Sequence, residues 1–245
     1  MTIEGNGATG YAIRLDNVTT GYSKGKRKKE ICSALTAEFK SGRLTCLIGR
    51  NGTGKSTLLR TIAGFQPPLA GSITIAGRSV GSCSAGELAQ TVAVVLTHQP
   101  SAGALTAGEV VALGRSPYTG FWGTLSDNDK RIVGNAMQLT GTANMAARPI
   151  SELSDGERQR VMIAKAIAQQ TQIMLLDEPT AFLDYPGRRD LMSLMTRLAR
   201  ELGKCIIMST HDLELAVRMA DDIFELAPDG IRSVTPTQIK AEYGF

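Results

Sequence analysis

Gly49-Arg50-Asn51-Gly52-Thr53-Gly54-Lys55-Ser56 sets glycines, a lysine and a hydroxyl at the spacing G-x-x-x-x-G-K-S. Such a run folds into a concave loop whose successive backbone N–H groups point inward, with the positive end of a following helix behind them. That is the chemistry of a polyphosphate cradle, in which Lys55 reaches the β- and γ-phosphates of ATP and the Ser56 hydroxyl ligates Mg²⁺. A side chain at Gly52 or Gly54 is expected to crowd the phosphates. The second reactive set is Asp177-Glu178, which closes the apolar run Ile173 to Leu176. At the C-terminal edge of a parallel sheet these carboxylates stand beside the phosphate loop. Asp177 would then hold Mg²⁺, directly or through water, and Glu178 would orient and polarise the attacking water as general base. Strands often end in acids, so the pair is weak alone and strong only in company with the loop.

These groups need a sheet and helices to bring them together. Short apolar runs alternate with helical patterns along the chain, which predicts an α/β domain. Ala12 to Val18 and Ile31 to Phe39 read as strands joined by a basic loop, and Leu44 to Ile48 as a buried strand leading into the phosphate loop. Lys55 to Ala63 has helical spacing and stops at Gly64, a C-cap residue. Ser72 to Ile75, Val92 to Leu96, Ile173 to Leu176, Cys205 to Met208 and Asp222 to Leu226 read as further strands, with helices at about Gly187 to Leu202 and Asp212 to Met219. From Thr106 to about Ile150 the pattern is mainly helical: Thr106 with Glu109 forms a capping box, and Ser126 with Asp129 is a near variant. The segment Gly114 to Gly123 between these helices reads as an ordered loop. One domain over residues 11–240 is expected, with a helical insertion at roughly 100–160 and no extra C-terminal domain.

Bulk properties exclude several classes. The net charge is +4, from 27 basic and 23 acidic residues, too small by itself to argue for nucleic-acid binding. Five of the six residues from Lys24 to Lys29 are Lys or Arg, and a solvated loop is favoured there over an anion or lipid contact. Cys32, Cys46, Cys83 and Cys205 lie far apart with no Cys-x-x-Cys pair, which argues against a zinc site or a disulfide framework and for a reducing cytosol. The polar N-terminus has no signal-peptide core, and no apolar run reaches membrane-spanning length.

Three further motifs complete the set: Leu153-Ser154-Asp155-Gly156-Glu157 followed by a helix from Arg158 to Gln170, Leu183-Asp184 after the acids, and Ser209-Thr210-His211-Asp212 after the last core strand. With the phosphate loop, and in this order, they resemble the ATP-binding-cassette ATPases over roughly residues 11–235. The resemblance implies a P-loop NTPase core with a mixed β-sheet, an N-terminal antiparallel β subdomain and a helical insertion. It implies that Gly49, Arg50, Asn51, Gly52, Thr53, Gly54, Lys55, Ser56 and Thr57 bind the nucleotide, trapped between two copies of the chain. Ser154 and the N–H of Gly156 would then supply donors to the γ-phosphate held by the other copy. Ser154 sits at a predicted helix N-cap, a natural anion site, which agrees. His211 is similar to the family's switch histidine at the γ-phosphate, and Tyr22 to the aromatic that stacks on adenine. In Leu96-Thr97-His98-Gln99-Pro100, Gln99 is similar to the glutamine that senses Mg²⁺ and contacts the transmembrane partner, with His98 as the alternative register.

The chain departs from the family pattern in having Asp155-Gly156 for Gly-Gly and Glu157 for Gln. An acid near a γ-phosphate is unfavourable unless it points away, so Asp155 is expected to face solvent or an arginine. Leu113-Gly114-Arg115-Ser116-Pro117-Tyr118 with Phe121-Trp122-Gly123 is similar to the ATPases of importers for iron-siderophores, haem and vitamin B12. That likeness implies two copies beneath two membrane-spanning permease subunits, peripheral at the cytoplasmic face of the inner membrane, served by an extracytoplasmic substrate-binding protein, with no nucleic acid. Tyr118, Phe121 and Trp122 also read as a local hydrophobic cluster packing the insertion. The alternatives are the ATPase of an exporter, and a soluble cassette ATPase acting on nucleic acid or the ribosome, which only the basic run favours.

Overall fold

The computed structural model describes residues 11–24, 27–96, 104–120 and 122–244. Two sheets organise the chain. The first is antiparallel, with β1 (Tyr11–Lys24), β2 (Arg27–Lys40), β4 (Ala70–Ile75) and β5 (Arg78–Ser79) in the order β2-β1-β4-β5. The second contains β3 (Leu44–Ile48), β6 (Val92–Val95), β7 (Ile173–Asp177), β8 (Cys205–Ser209), β9 (Asp222–Ala227) and β10 (Gly230–Ser233), in the order β10-β9-β3-β8-β7-β6. Its strands pair in parallel except β10, which runs antiparallel to β9. Every residue of β3, β7 and β8 is buried, as near-continuous apolar runs must be when both faces of a parallel sheet are covered.

The pleat divides these strands between two cores. Leu47, Leu175 and Ile207 face the antiparallel sheet, where Ile13, Leu15, Phe39 and Ile73 meet Leu58, Leu59 and Ile62 of α1 (Lys55–Ile62). Cys46, Ile48, Met174, Leu176, Ile206 and Met208 face the other way, onto α6 (Tyr185–Leu202) and α7 (Leu213–Met219). Each buried Leu or Ile adds about 1.5–3 kcal/mol of apolar burial, so α1 and the strand ends beside it are held from two sides. A third cluster joins α3 (Ala107–Ala112), α4 (Asp127–Leu139) and α5 (Asp155–Ala168) through Val110, Val111, Met137, Leu153, Val161 and Ala164. α5 packs on both sides, onto this cluster through Val161 and Ala164 and onto the sheet core through Ile163 and Ala166.

Several elements differ from the sequence expectations. The basic run is not a loop joining two short strands. β1 continues to Lys24 and β2 starts at Arg27, with Tyr22 opposite Lys29, Ser23 opposite Lys28 and Lys24 opposite Arg27. The ladder pairs the inward backbone groups of this ribbon, and Arg27, Lys28 and Lys29 remain exposed on it, so the charge run does not oppose strand formation. Residues 25 and 26 lie outside the described set. Among the elements not anticipated are α2 (Ala85–Thr91), β5, β10 and α8 (Pro236–Tyr243). The helices α2 and α8 had a readable start signal, since Ser84 with Glu87 and Thr235 with Gln238 form reciprocal capping boxes. The boxes expected at Thr106 and Ser126 are both present.

The segment from Leu113 to Tyr118 is a 3-10 helix continuing α3, not a loop. Gly114 lies against α5 so closely that a Cβ there would run into the Lys165 carbonyl. Arg115 is buried beside it. Its Nε donates to Asp129 Oδ1 at 2.8 Å, its Nη1 donates to Ala168 O at 2.8 Å, and its guanidinium lies 4.2 Å from the Tyr118 ring centroid. Of the hydrophobic cluster expected from Tyr118, Phe121 and Trp122, Tyr118 packs on Arg115 and Trp122 is 87% exposed, while Phe121 lies outside the described residues. Arg115 is the brace that ties α3, α4 and α5 together. Arg115→Ala is expected to lower stability by about 3–5 kcal/mol, because it leaves Asp129 buried without its cation. A urea-unfolding midpoint unchanged from the parent would contradict this. No helix among the described residues is long and apolar enough to cross a membrane.

Candidate nucleotide site

β3 delivers the chain to Gly49, and α1 receives it at Lys55, so the phosphate loop joins a central strand to a buried helix. Gly49 (φ 145°), Gly52 (φ 79°) and Gly54 (φ 98°) all take positive φ, which lets the loop curl back over the helix end. Gly54 is itself the N-cap of α1, with no side-chain cap. A Cβ at Gly54 would meet Ile31 Cγ2 at 2.6 Å and Cys32 Sγ at 2.8 Å, so packing against β2 by itself requires glycine there. Around Gly52 there is open space, and its left-handed backbone is the constraint. The loop is tied down from outside: Cys32 Sγ donates to Thr53 O at 2.8 Å, and Thr53 Oγ1 donates to Arg50 O at 2.9 Å.

Lys55 is 5% exposed, and its Nζ donates to Gly49 O at 2.8 Å and to Arg50 O at 3.2 Å. Burial pulls its pKa below the ordinary lysine value, while the Glu178 and Asp177 carboxylates oppose that shift. Those acids arrive from β7. Asp177 is buried and accepts a hydrogen bond from Ser209 Oγ at 2.8 Å, and Ser209 Oγ in turn accepts from the Glu178 N–H at 2.9 Å. β8, through Ser209, thus clamps the turn after β7. Glu178 has φ 49°, a left-handed conformation costly for a side chain with a Cβ, and it persists because its neighbours over-determine it. Its Oε1 lies 2.8 Å from His211 Nε2, two residues beyond β8. The two acids have different surroundings, one buried and fixed by a hydroxyl, the other partly exposed and paired with an imidazole. That is how neighbouring carboxylates come to serve different roles.

One cavity of about 250 Å³ gathers these groups, lined by Asn51, Gly52, Gly54, Lys55, Ser56, Thr57 and Glu178 together with Tyr22 and Ile31. Tyr22 is 48% exposed, and its OH lies 3.1 Å from Thr57 Oγ1, at the open side of the loop. Ile31 was not anticipated; on β2 it forms the apolar wall beside Tyr22, and an isolated strand isoleucine gives no signal of that kind in sequence. Gln99 and His98 lie outside the described residues.

Ser154 and Gly156 do not line this cavity. Ser154 is the exposed N-cap of α5, its Oγ accepting from Glu157 N at 3.3 Å while Glu157 Oε2 accepts from Ser154 N at 2.8 Å. The backbone and side-chain hydrogen bonds from Ser154 hold the Glu157 carboxyl below its ordinary pKa, with Arg148 3.3 Å away. Asp155 pairs with Arg158 at 3.0 Å on the exposed surface, the outward orientation expected for it. Leu183 and Asp184 lead into α6, with Asp184 as N-cap accepting from Gly187 N at 3.0 Å.

A glycine-lined cradle between a parallel strand and a helix, with Glu178 from the end of β7 in its lining, defines the chain as an α/β P-loop NTPase. The chain belongs to the ABC transporter family, whose model matches residues 32–181, and it is an ATPase of that family. It is 39% identical over 210 residues to the achromobactin transport ATP-binding protein CbrD of Dickeya dadantii, covering 86% of this chain and 77% of that protein. It is 40% identical over 190 residues to the iron(3+)-hydroxamate import ATP-binding protein FhuC of Bacillus subtilis, covering 78% of this chain and 71% of the other. Against a metal-chelate type ABC transporter solved in an inward-facing conformation the TM-score is 0.79, at 25% identity over 94% of this chain and 85% of that one. A cassette solved as a dimer after hydrolysis, bound to ADP and Pi, gives a TM-score of 0.80 at 27% identity, over 91% of this chain and 98% of that one.

Proposed function

We propose that this chain is the ATP-hydrolysing subunit of an importer for a metal chelate, of the siderophore, haem or cobalamin type. The observation that carries the hydrolytic part is the single cavity in which Lys55, Ser56 and Glu178 face one another, with His211 at 2.8 Å from the Glu178 carboxylate. The import part draws support from relatives named for achromobactin and iron(3+)-hydroxamate transport.

In this reading ATP lies along the phosphate loop from Gly49 to Thr57, its base on Tyr22. Lys55 gives up its two loop carbonyls to the β- and γ-phosphates, a stronger, charge-assisted pairing. Glu178 accepts the proton of the attacking water, and His211 turns from Glu178 to the γ-phosphate as the nucleotide arrives. The Ser56 hydroxyl and the Asp177 carboxylate are hard oxygen donors that suit Mg²⁺. Held by Ser56 and Asp177, Mg²⁺ would supply positive charge that offsets the charge building on the phosphates. Gln99 is proposed to reach the same ion and the water. The γ-phosphate takes its remaining donors from Ser154 and Gly156 of a second copy, at the exposed N-terminus of α5.

The partners are accordingly a second copy, two permease subunits and, indirectly, an extracytoplasmic binding protein, with this chain peripheral at the cytoplasmic face of the membrane. Affinity capture from native membranes is expected to recover a multi-spanning permease pair of an import system. Recovery of an export permease, or of nucleic acid in a salt-sensitive complex, would replace the reading with one of its alternatives.

A further inference from the structure

β1 leaves its β4 partner just before it reaches the cavity. The last β1–β4 pair is Thr19 with Ala70, and the ladder goes one step further through Leu69 N, which donates to Thr19 O at 2.8 Å. Continued in antiparallel register, the next rung would bring residue 67 opposite the carbonyl of Gly21. Residue 67 is a proline and has no N–H to give. The Gly21 carbonyl belongs to a buried residue, and a buried carbonyl left without a donor is costly.

The Gln66 side chain supplies the missing rung. Its Nε2 donates to Gly21 O at 3.1 Å and to Thr61 Oγ1 at 3.1 Å, using both amide hydrogens. Thr61 Oγ1 spends its own hydrogen on Thr57 O at 2.7 Å, so it is free to accept from Gln66. Thr57 Oγ1 meets the Tyr22 OH, and Tyr22 follows Gly21 in the chain. The result is a closed circuit from Gly21 through Gln66, Thr61 and Thr57 to Tyr22, which locks the end of β1 to α1. Gly21 cannot be replaced within it, since a Cβ there would run into the Lys29 carbonyl of β2.

We propose that Gln66 is a positioning residue for the nucleotide base: it stands in for the N–H that Pro67 lacks and so fixes Tyr22 over the phosphate loop. The proposal rests on the reading of Tyr22 as the base platform. A base-positioning residue affects ATP but not a ligand that has no base, and inorganic tripolyphosphate is the probe that separates them. In the full-length chain, Gln66→Leu is expected to raise KM for ATP about 3- to 10-fold, the size of one hydrogen bond, with kcat kept within about twofold. The inhibition constant of tripolyphosphate stays at the parent value. Gln66→Glu, which keeps size and polarity but removes the donor, is expected to do the same and serves if the leucine variant folds poorly. An unchanged KM for ATP, or equal losses for ATP and tripolyphosphate, overturns the proposal, the second result marking a general disturbance of the loop. Tyr22→Ala separates the two layers. If it leaves KM untouched, the base platform falls and the tether with it; if it raises KM while neither Gln66 variant does, only the tether falls.

Discussion

Glu178→Gln is expected to bind ATP and to release phosphate at about 10²- to 10⁴-fold below the parent kcat, the usual contribution of a positioned general base. The exchange preserves shape and keeps an acceptor for His211, whose Nε2 lies 2.8 Å from Glu178 Oε1. It also leaves Asp177 and Ser209 untouched, since Ser209 is held by the Glu178 backbone N–H rather than by its side chain. Binding should therefore persist while proton acceptance is lost. The variant is expected to accumulate as a nucleotide-loaded dimer, visible by size-exclusion chromatography in ATP and absent in ADP. Phosphate release near the parent rate would remove Glu178 from the role of base and leave Asp177 and His211 to account for turnover.

The second large effect concerns the divided site. Lys55→Ala removes the buried cation of the phosphate loop, and Ser154→Arg places a bulky side chain at the exposed N-terminus of α5. Each variant alone is expected to lose about 10²-fold or more in turnover, the scale of removing one essential electrostatic donor. Mixed in equal amounts they should recover about a quarter of the parent rate. Random pairing makes half of the dimers mixed, and each mixed dimer holds one site with both an intact loop and an intact Ser154. Steady-state phosphate release across a titration of one variant into the other reads this directly. No recovery at any ratio would mean that Ser154 does not act across copies. Loss of the Ser154 cap itself costs only about 1 kcal/mol of helix stability, too little to mimic that result in a folded protein.

Asp177-Glu178 gained weight only beside the phosphate loop, and the roles of Ser154, Gly156 and His211 came from the family resemblance. The phosphate loop was readable as a local string, because backbone curvature and helix starts are set by near neighbours. The boxes at Thr106 and Ser126 were readable for the same reason, and those at Ser84 and Thr235 offered the same signal. The outward turn of Asp155 followed from simple charge repulsion, and Arg158 accepts it there.

What spacing along the chain determined, then, was the set of reactive groups and the kind of domain that carries them. The tertiary structure decided which of them meet. Lys55, Glu178 and His211 follow three separate strands, and only the order β3-β8-β7 brings the ends of those strands side by side. It decided that Gly54 is kept small by Ile31 and Cys32, that the basic run is a paired ribbon, and that the 3-10 segment around Arg115 is a brace rather than a loop. It also gave Gln66 a task that no motif announces, since a proline's missing N–H matters only once another strand lies opposite it. The physical reason is common to all of these: backbone conformation follows from adjacent residues, whereas hydrogen-bond partners and packing neighbours distant in sequence exist only after the sheets have formed.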